Sequence, residues 1–439
     1  MASGRRTAVK VITPVTIPAG NILYAPGVRA GRWVFATGHK GTADYVSGMS
    51  PAVTRPAAPN WDKPKLRREA EQIFRNAGSV LKAGGSDLHS IVRVDQNYSS
   101  GRAVESYHDA RRAILKDHIP PSTSTLAQGF LLAGQEIEVH MIGIVPQGEF
   151  RPQHIRPADH AVHPTSGYSL ALAAGDYVFV AGRMADSFTF GEGIAQAARL
   201  PQGHLWKGSP IKLEAEFIIR EKLVPTLKAA GSSLKNVVKC QVYMRDADDF
   251  AAFNEVWAGF FPRAMPATTL VPTATPGFFV SDARIEINTI ALRDGGKTKK
   301  EIVDAGIIPA YSGHTQAVRA GDLLFISGML ANDRNGLIES ARIDPARPYF
   351  GSSVQVQMDY MLTNAAKLCK VAGTSLANVV RIQQFHTDLR EFYPAYQTWQ
   401  QHLPGQHLPF SAVEVPFLPV PGCTVQLDLW VYAPQARIG

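Results

Sequence analysis

The sequence predicts an α+β protein built as one domain written three times. Three observations carry this: an apolar strand bracketed by glycines, a helix-ending glycine phrase and an alternating closing strand. Each occurs three times, in the same order, with a period of about 145 residues. The thirds are expected at residues 1–150, 151–298 and 299–439.

The first phrase runs from Ala30-Gly31 to Gly38, from Ala174-Gly175 to Gly182 and from Ala320-Gly321 to Gly328. β-branched and aromatic residues between glycines read as a strand entered from a tight turn. The second phrase is Lys82-Ala83-Gly84-Gly85, matched by Lys228-Ala229-Ala230-Gly231 and Lys370-Val371-Ala372-Gly373. A helical pattern precedes each, so the glycine ends a helix in the left-handed conformation. Strands at 91–97, 237–244 and 379–386 follow, then a second amphipathic helix, clearest at 249–261. The closing strands start at Ile137-Glu138-Val139-His140, Ile285-Glu286-Ile287-Asn288 and Val425-Gln426-Leu427-Asp428. Period-two alternation puts Glu138 and His140 on one face and the aliphatic residues on the other. Each third reads β-β-α-β-α-β-β, with helices on one sheet face. Residues 147–163 and 294–310 read as linkers, and Tyr45–Pro64 and Asn332–Ser352 as insertions.

Composition bounds the function. Hydrophobic residues make up 45% and charged residues 19%, an ordinary globular balance. No apolar run is long enough to span a membrane. Met1–Arg6 is basic but has no apolar stretch after it, so no secretory signal is expected. Three scattered cysteines suit a reducing cytoplasm, the expected location, and Cys423 reads as structural. The net charge of +8 divides as +6, +4 and −2 over residues 1–150, 151–300 and 301–439. A basic surface attracts anions, but no basic run interleaved with aromatics supports nucleic-acid binding. Phosphate-loop, zincin and serine-hydrolase motifs are absent. His154, His160 and His163 lack the cysteine or carboxylate partner that would suggest a metal, so neither metal nor cofactor is expected.

Glu138 and Glu286 stand mid-strand among apolar residues, where burial would raise a carboxyl pKa and suit it to acid–base work. The plain alternative is a glutamate on a solvated strand face. Arg183 after Gly182, and His39 with Lys40 after Gly38, are candidate anion binders at strand ends. His108, His140 and Glu138 could form an acid–base set in the first third.

These phrases, in this order and three times over, resemble the Rid (reactive intermediate deaminase, or YjgF) superfamily. The resemblance implies chorismate-mutase-like domains joined as an intramolecular pseudo-trimer, with a central β-barrel, outer helices and ligand clefts between neighbouring domains. It implies Glu-assisted water attack on a small, anionic imine, enamine or related C–N (or enol) compound, as when the family hydrolyses imines to keto acids and ammonia. The family's cleft tyrosine matches Tyr24 and Tyr168 and becomes His314; its helix Asn matches Asn254, with His108 and Tyr396 in the other copies. Its closing-strand Glu matches Glu138 and Glu286 and becomes Gln426, and the amides of Gly38 and Gly182 would face the ligand. The family's Pro-Ala-Arg phrase reads Pro121-Ser122-Thr123, Pro266-Ala267-Thr268 and Pro409-Phe410-Ser411, so Thr123 and Thr268 stand where Arg is expected. Arg183 or His39 would then hold the substrate anion, and the third copy would serve chiefly as scaffold for at least one cleft or would carry different chemistry. Loss of that Arg favours a second reading, a non-catalytic module for a metabolite or partner. RNA binding or cleavage is a third reading, which no motif supports. The expected assembly is a monomeric pseudo-trimer or a further homodimer.

Overall fold

The computed structural model describes residues 8–55, 63–157, 166–187, 189, 191–203, 208–280, 282–347 and 349–434. Met1–Arg6, Pro56 and Pro59 of the first insertion, and His160 and His163 lie outside the described residues.

In the first third, β1 (Val9–Ile12), β2 (Gly27–Ala30) and β3 (Trp33–His39) are followed by α1 (Pro51–Thr54) and α2 (Lys65–Ala83). Then come β4 (Ile91–Tyr98), α3 (Arg102–Leu115), β5 (Ser122–Leu126), β6 (Gly129–Phe130) and β7 (Ile137–Ile144). The second third has β8 (Gln153–Ile155), β9 (Ala171–Ala174), β10 (Tyr177–Arg183), α4 (Pro210–Phe217) and α5 (Val224–Ala229). It continues with β11 (Val237–Met244), α6 (Asp249–Phe260), β12 (Ala267–Pro272) and β13 (Ile285–Leu292). The last third holds β14 (Lys300–Val303), β15 (Ala317–Ala320), β16 (Leu323–Ile326), a ribbon of β17 (Asn332–Asp333) and β18 (Gly336–Leu337), and α7 (Ser353–Val371). It ends with β19 (Val379–His386), α8 (Phe392–His402), β20 (Phe410–Glu414) and β21 (Val425–Tyr432).

The same topology recurs. The sheet orders are β1-β2-β3-β7-β4-β5, β8-β9-β10-β13-β11-β12 and β14-β15-β16-β21-β19-β20. Gly31, Gly175 and Gly321 turn the entering hairpins with φ of +57°, +56° and +57°, a conformation that costs glycine little. The helices cover one face of each sheet. In α2 the buried Ala70, Ile73, Phe74, Ala77, Val80 and Leu81 follow helical spacing.

Three corrections to the sequence reading arise here. The expected linkers contain strands: β8 and β14 each extend a sheet by pairing antiparallel with β9 and β15. The polar face of each closing strand is not solvated, since all eight positions of β7 and of β13 are buried. The sheets' second faces pack on one another: β5 lies against β10, β12 against β16 and β20 against β3. Finally, no closed barrel is found among the described residues; the three sheets are separate hydrogen-bonded units. β3, β10 and β16 are interior strands, each already bonded on both edges, so a neighbouring copy can pack across them but cannot add to the ladder. Backbone pairings between copies are short: β6 pairs with β20 through Phe130 and Val413, and a parallel bridge joins Tyr24 to Leu408.

Where the sheets meet, an apolar core takes Trp33, Phe35, Phe179, Phe325 and Trp430 from all three copies. Burying such side chains stabilises by roughly 1.5–3 kcal/mol each. Beside it lies a buried charge cluster. Arg93, Lys239 and Arg381 occupy equivalent places on β4, β11 and β19. Asp95 accepts from Arg93 Nε at 3.0 Å and from Arg381 Nη2 at 2.9 Å, while Asp428 pairs with Lys239 Nζ at 2.7 Å.

Candidate functional site

Each copy presents its bulged strand end and closing strand to the helix and parallel strand of a neighbour, which makes three related clefts. Their contents differ, and the difference decides where chemistry is possible.

In the first cleft the groups are turned inward and tied to one another. Tyr24 packs edge-on against Phe410 with ring centroids 5.3 Å apart, and its hydroxyl donates to the Thr37 carbonyl at 2.5 Å. A Cβ on Gly38 would sit 2.6 Å from the Phe410 carbonyl oxygen, so the two copies touch there. The Gly38 amide, expected to face a ligand, donates instead to His140 Nδ1 at 3.1 Å. His39 turns away to the Pro26 carbonyl at 2.8 Å. Burial lowers His39 to about 4 and takes His140 well below its usual range, so both rings are neutral. Burial also raises Glu138, with Lys40, Ser411 and Gln135 opposing, and its Oε1 lies 3.6 Å from His140 Nε2.

The third cleft is closed in another way. His314 Nε2 meets Asn254 Oδ1 at 3.0 Å, and Gln426 donates to the Leu270 carbonyl at 2.8 Å. The Gly328 amide donates to the Thr268 carbonyl at 3.0 Å, and Thr268 Oγ1 to that of Pro266 at 3.0 Å. A cavity of about 20 Å³ beside Gly328 and Met329 has room for about one water.

The second cleft is open. A cavity of about 290 Å³ is lined by Glu286, Tyr168 and Gly182 of the second copy and by His108, Ser122 and Ser124 of the first. Val104, Met184, Phe279 and Val280 supply apolar wall. Glu286 is 4% exposed, and burial together with the charges of Asp186 and Asp95 raises it to about 8, against Arg183 and Arg93. It is therefore a neutral acid at pH 7. Tyr168 is held as the phenol, its pKa raised by burial. The carboxyl fits because residue 182 has no side chain: a Cβ there would lie 1.8 Å from Glu286 Oε1 and 3.0 Å from Thr123 Oγ1. A Gly182→Ala exchange is expected to push the carboxyl toward solvent and lower its pKa from about 8. Carboxyl ¹³C-NMR titration measures this, and an unmoved titration would refute the packing argument.

The structure regroups the expected residues. His108 joins Glu286 and Tyr168, not Glu138 and His140, because α3 borders the neighbouring copy's cleft. Asn254 and Thr268 belong to the third cleft for the same reason, and Thr123 to the second, where its Oγ1 accepts from Asn288 at 3.3 Å. Arg183 is buried, does not line the cavity, and acts on Glu286 and Tyr168 by its charge. His154 is held by His118 Nδ1 at 3.0 Å and by Ser169. The cysteines are free and buried, with Cys423 raised by burial to about 11, so it is no thiolate.

Sequence reasoning missed three charged neighbours of this cleft. Asp186 faces Lys222 at 3.5 Å; Lys222 sits on a π-helical turn, Ile218–Leu223, and burial lowers it to about 8. Arg111 is buried on α3 and donates to Ser122 Oγ at 3.1 Å and to the Ser166 carbonyl at 2.6 Å. Its place among Tyr107, Ala110 and Leu115 on the apolar stripe was the available signal.

Two segments, residues 158–293 and 307–433, match the family model described as Endoribonuclease L-PSP. The chain belongs to that family. Among Endoribonuclease L-PSP relatives, a RutC family protein of Pyrococcus horikoshii is 33% identical over 136 residues, covering 31% of this chain and 94% of that protein. The 2-iminobutanoate/2-iminopropanoate deaminase of Dermatophagoides farinae is 26% identical over 141 residues, covering 32% and 97%. The solved structure of yeast Mmf1 covers 32% of this chain and 98% of its own, with 26% identity and a TM-score of 0.26. A chorismatase structure covers 78% and 93%, with 11% identity and a TM-score of 0.47. No helix among the described residues is long and apolar enough to cross a membrane.

Proposed function

We propose that the chain is a Rid-type hydrolytic deaminase of a small imine or enamine, working in the cleft between its first and second copies. Residues 1–150, 151–298 and 299–439 would be three domains of an intramolecular pseudo-trimer in which the other two clefts are structural. The observation that carries this is Glu286: a carboxyl raised to about 8 that lines a cavity of about 290 Å³. The deaminase named among the relatives adds support.

The chemistry follows from a neutral acid beside apolar wall. Glu286 gives its proton to the imine nitrogen, and the carboxylate left behind takes a proton from water as that water adds to the iminium carbon. The C–O bond forms as the C=N pair moves to nitrogen. Glu286 then protonates the amine of the aminol, the C–N bond breaks, and ammonia leaves as the hydroxyl proton returns to the carboxylate. Water is consumed, a carbonyl compound is formed and the acid is restored. Tyr168, kept as a phenol, donates to the forming oxygen, and Gly182 leaves room for the carboxyl.

The pH dependence has a definite sign. A pKa raised to about 8 means the acid form is present below that value and is lost above it. Ammonia release from a preformed imine is expected to be level between about pH 6 and 7 and to fall roughly tenfold per unit well above 8. A rate that climbs above pH 8 would refute the acid role. The filling of two clefts favours a second reading, a metabolite-binding module without turnover. Ammonia release across a panel of imines and enamines separates the two.

A further inference from the structure

The three clefts are built alike and differ at one helix position. His108, Asn254 and Tyr396 hold equivalent places on α3, α6 and α8. Four residues earlier, one turn back on the same helix face, stand Val104, Phe250 and Phe392. The two phenylalanines belong to the closed clefts. Phe250 is 8% exposed and meets Phe417, from the loop before the third copy's closing strand, edge-on with ring centroids 6.0 Å apart. Phe392 is 5% exposed and packs on Phe410 at 5.3 Å. The valine falls at the open cleft, where it lines the cavity of about 290 Å³.

An aromatic ring waits on the wall of the same cavity. Phe279 comes from the loop before the second copy's closing strand, the counterpart of the loop that carries Phe417. It is 41% exposed, although Tyr98 meets it edge-to-face at 6.1 Å between centroids. Water against a phenylalanine ring is a cost that an apolar ligand group would remove. Met184 and Val280 extend the apolar wall. Size then decides what fits. A cavity of about 150 Å³ holds benzene. This one has room for a six-membered ring beside the group that reacts at Glu286.

We propose that this cleft takes an imine or enamine bearing an aromatic side chain, seated on Phe279 in the space left because residue 104 is valine and not phenylalanine. Aromatic rings pair best offset or edge to face, and a methionine sulfur is a favourable neighbour for a ring. Val104 and Phe279 determine specificity; neither moves a proton. The inference rests on the reading of this cleft as the ligand site, and it names the substrate class for it.

The test is ammonia release by the full chain from imines generated in place by a D-amino acid oxidase, from D-phenylalanine and from D-alanine. Calorimetric titration with phenylpyruvate and pyruvate accompanies it. The phenyl imine is expected to show a kcat/KM at least tenfold above the methyl imine, and phenylpyruvate to bind at least tenfold tighter than pyruvate. Val104→Phe installs the side chain of the closed clefts, so both preferences should disappear, and Phe279→Ala should cut each about fivefold. Phe250→Val, at the equivalent place in the third cleft, should keep the parent's preference. Equal handling of both imines and both keto acids, or a preference that survives Val104→Phe or moves with Phe250→Val, overturns the inference. A D-leucine imine that outruns the phenyl imine overturns the choice of an aromatic group. If Val104→Phe fails to fold, Val104→Leu and Phe279→Ala still decide the matter. A phenylpyruvate preference that Val104→Phe erases, without ammonia release from any imine, keeps the aromatic site and removes the deaminase. Ammonia release without a side-chain preference does the reverse.

Discussion

Exchange of Glu286 for glutamine is expected to cut ammonia release at least about 100-fold, while Glu138→Gln leaves it nearly unchanged. The amide keeps the size of the carboxyl and loses the proton that the reaction needs. Glu138 has the same place on its own strand, but Tyr24 packs on Phe410 beside it, and Glu138 does not line the cavity that holds Glu286. Steady-state ammonia assays measure both. Full activity in Glu286→Gln, or an equal loss in Glu138→Gln, would sink the assignment. Stability provides a second readout with a fixed sign. In the unfolded chain this carboxyl ionises above its ordinary pKa of 4.5, while in the fold it stays neutral to about 8. Its contribution is therefore present below 4.5 and is lost as pH rises to 8. Glu286→Gln escapes that loss, so its stability relative to the parent should improve by a few kcal/mol across this window, as urea unfolding at several pH values would show.

Asp428→Asn is expected to destabilise the fold by about 3–5 kcal/mol, the cost of leaving a buried cation without its partner. Asp428 is fully buried and accepts from Lys239 Nζ at 2.7 Å, from Thr269 Oγ1 at 2.6 Å and from Gln241 Nε2 at 3.3 Å. All three donors belong to the second copy and the acceptor to the third, so the exchange strikes the seam between copies. Burial pushes the Asp428 pKa up, but Lys239 and Arg381 outweigh it and hold the carboxyl below its ordinary value. The stability it brings is present above the ordinary aspartate range and disappears as pH falls through the lowered value. The Asn variant should thus unfold at lower urea at pH 7 and show a flatter acid limb. A Lys239→Met exchange added to Asp428→Leu should recover much of the loss, since removing both charges removes the desolvation cost as well. A parent-like urea midpoint for Asp428→Asn would refute the pairing argument.

What could be read without coordinates was local. The glycines that end the long helices, Gly85, Gly231 and Gly373, all adopt positive φ, at +80°, +69° and +72°. The strands after them begin at Ile91, Val237 and Val379, where their apolar runs begin. What could not be read was the burial of the second sheet face. Alternation within a copy marks Asp95, Glu138, His140 and Asp428 as polar-side residues, and polar side ordinarily means water. Here it means another copy of the same sheet, and a period of two carries no mark of that. The site suffered from the same blindness. Glu286 and Tyr168 were legible as candidates, but their companions His108, Ser122 and Ser124 come from the preceding copy, so groups sought within one third are found across two.

The packing of the Phe410 ring on Tyr24 has a consequence for how such a protein can change. In a ring of identical chains one codon serves every interface, and a phenylalanine that plugs one hollow plugs them all. Here the codon for residue 410 is answerable to one seam. Selection can therefore close one junction by packing while the hollow around Glu286 stays open, and protein engineers can do the same. The first and third seams are where stabilising exchanges can be sought without loss of the second.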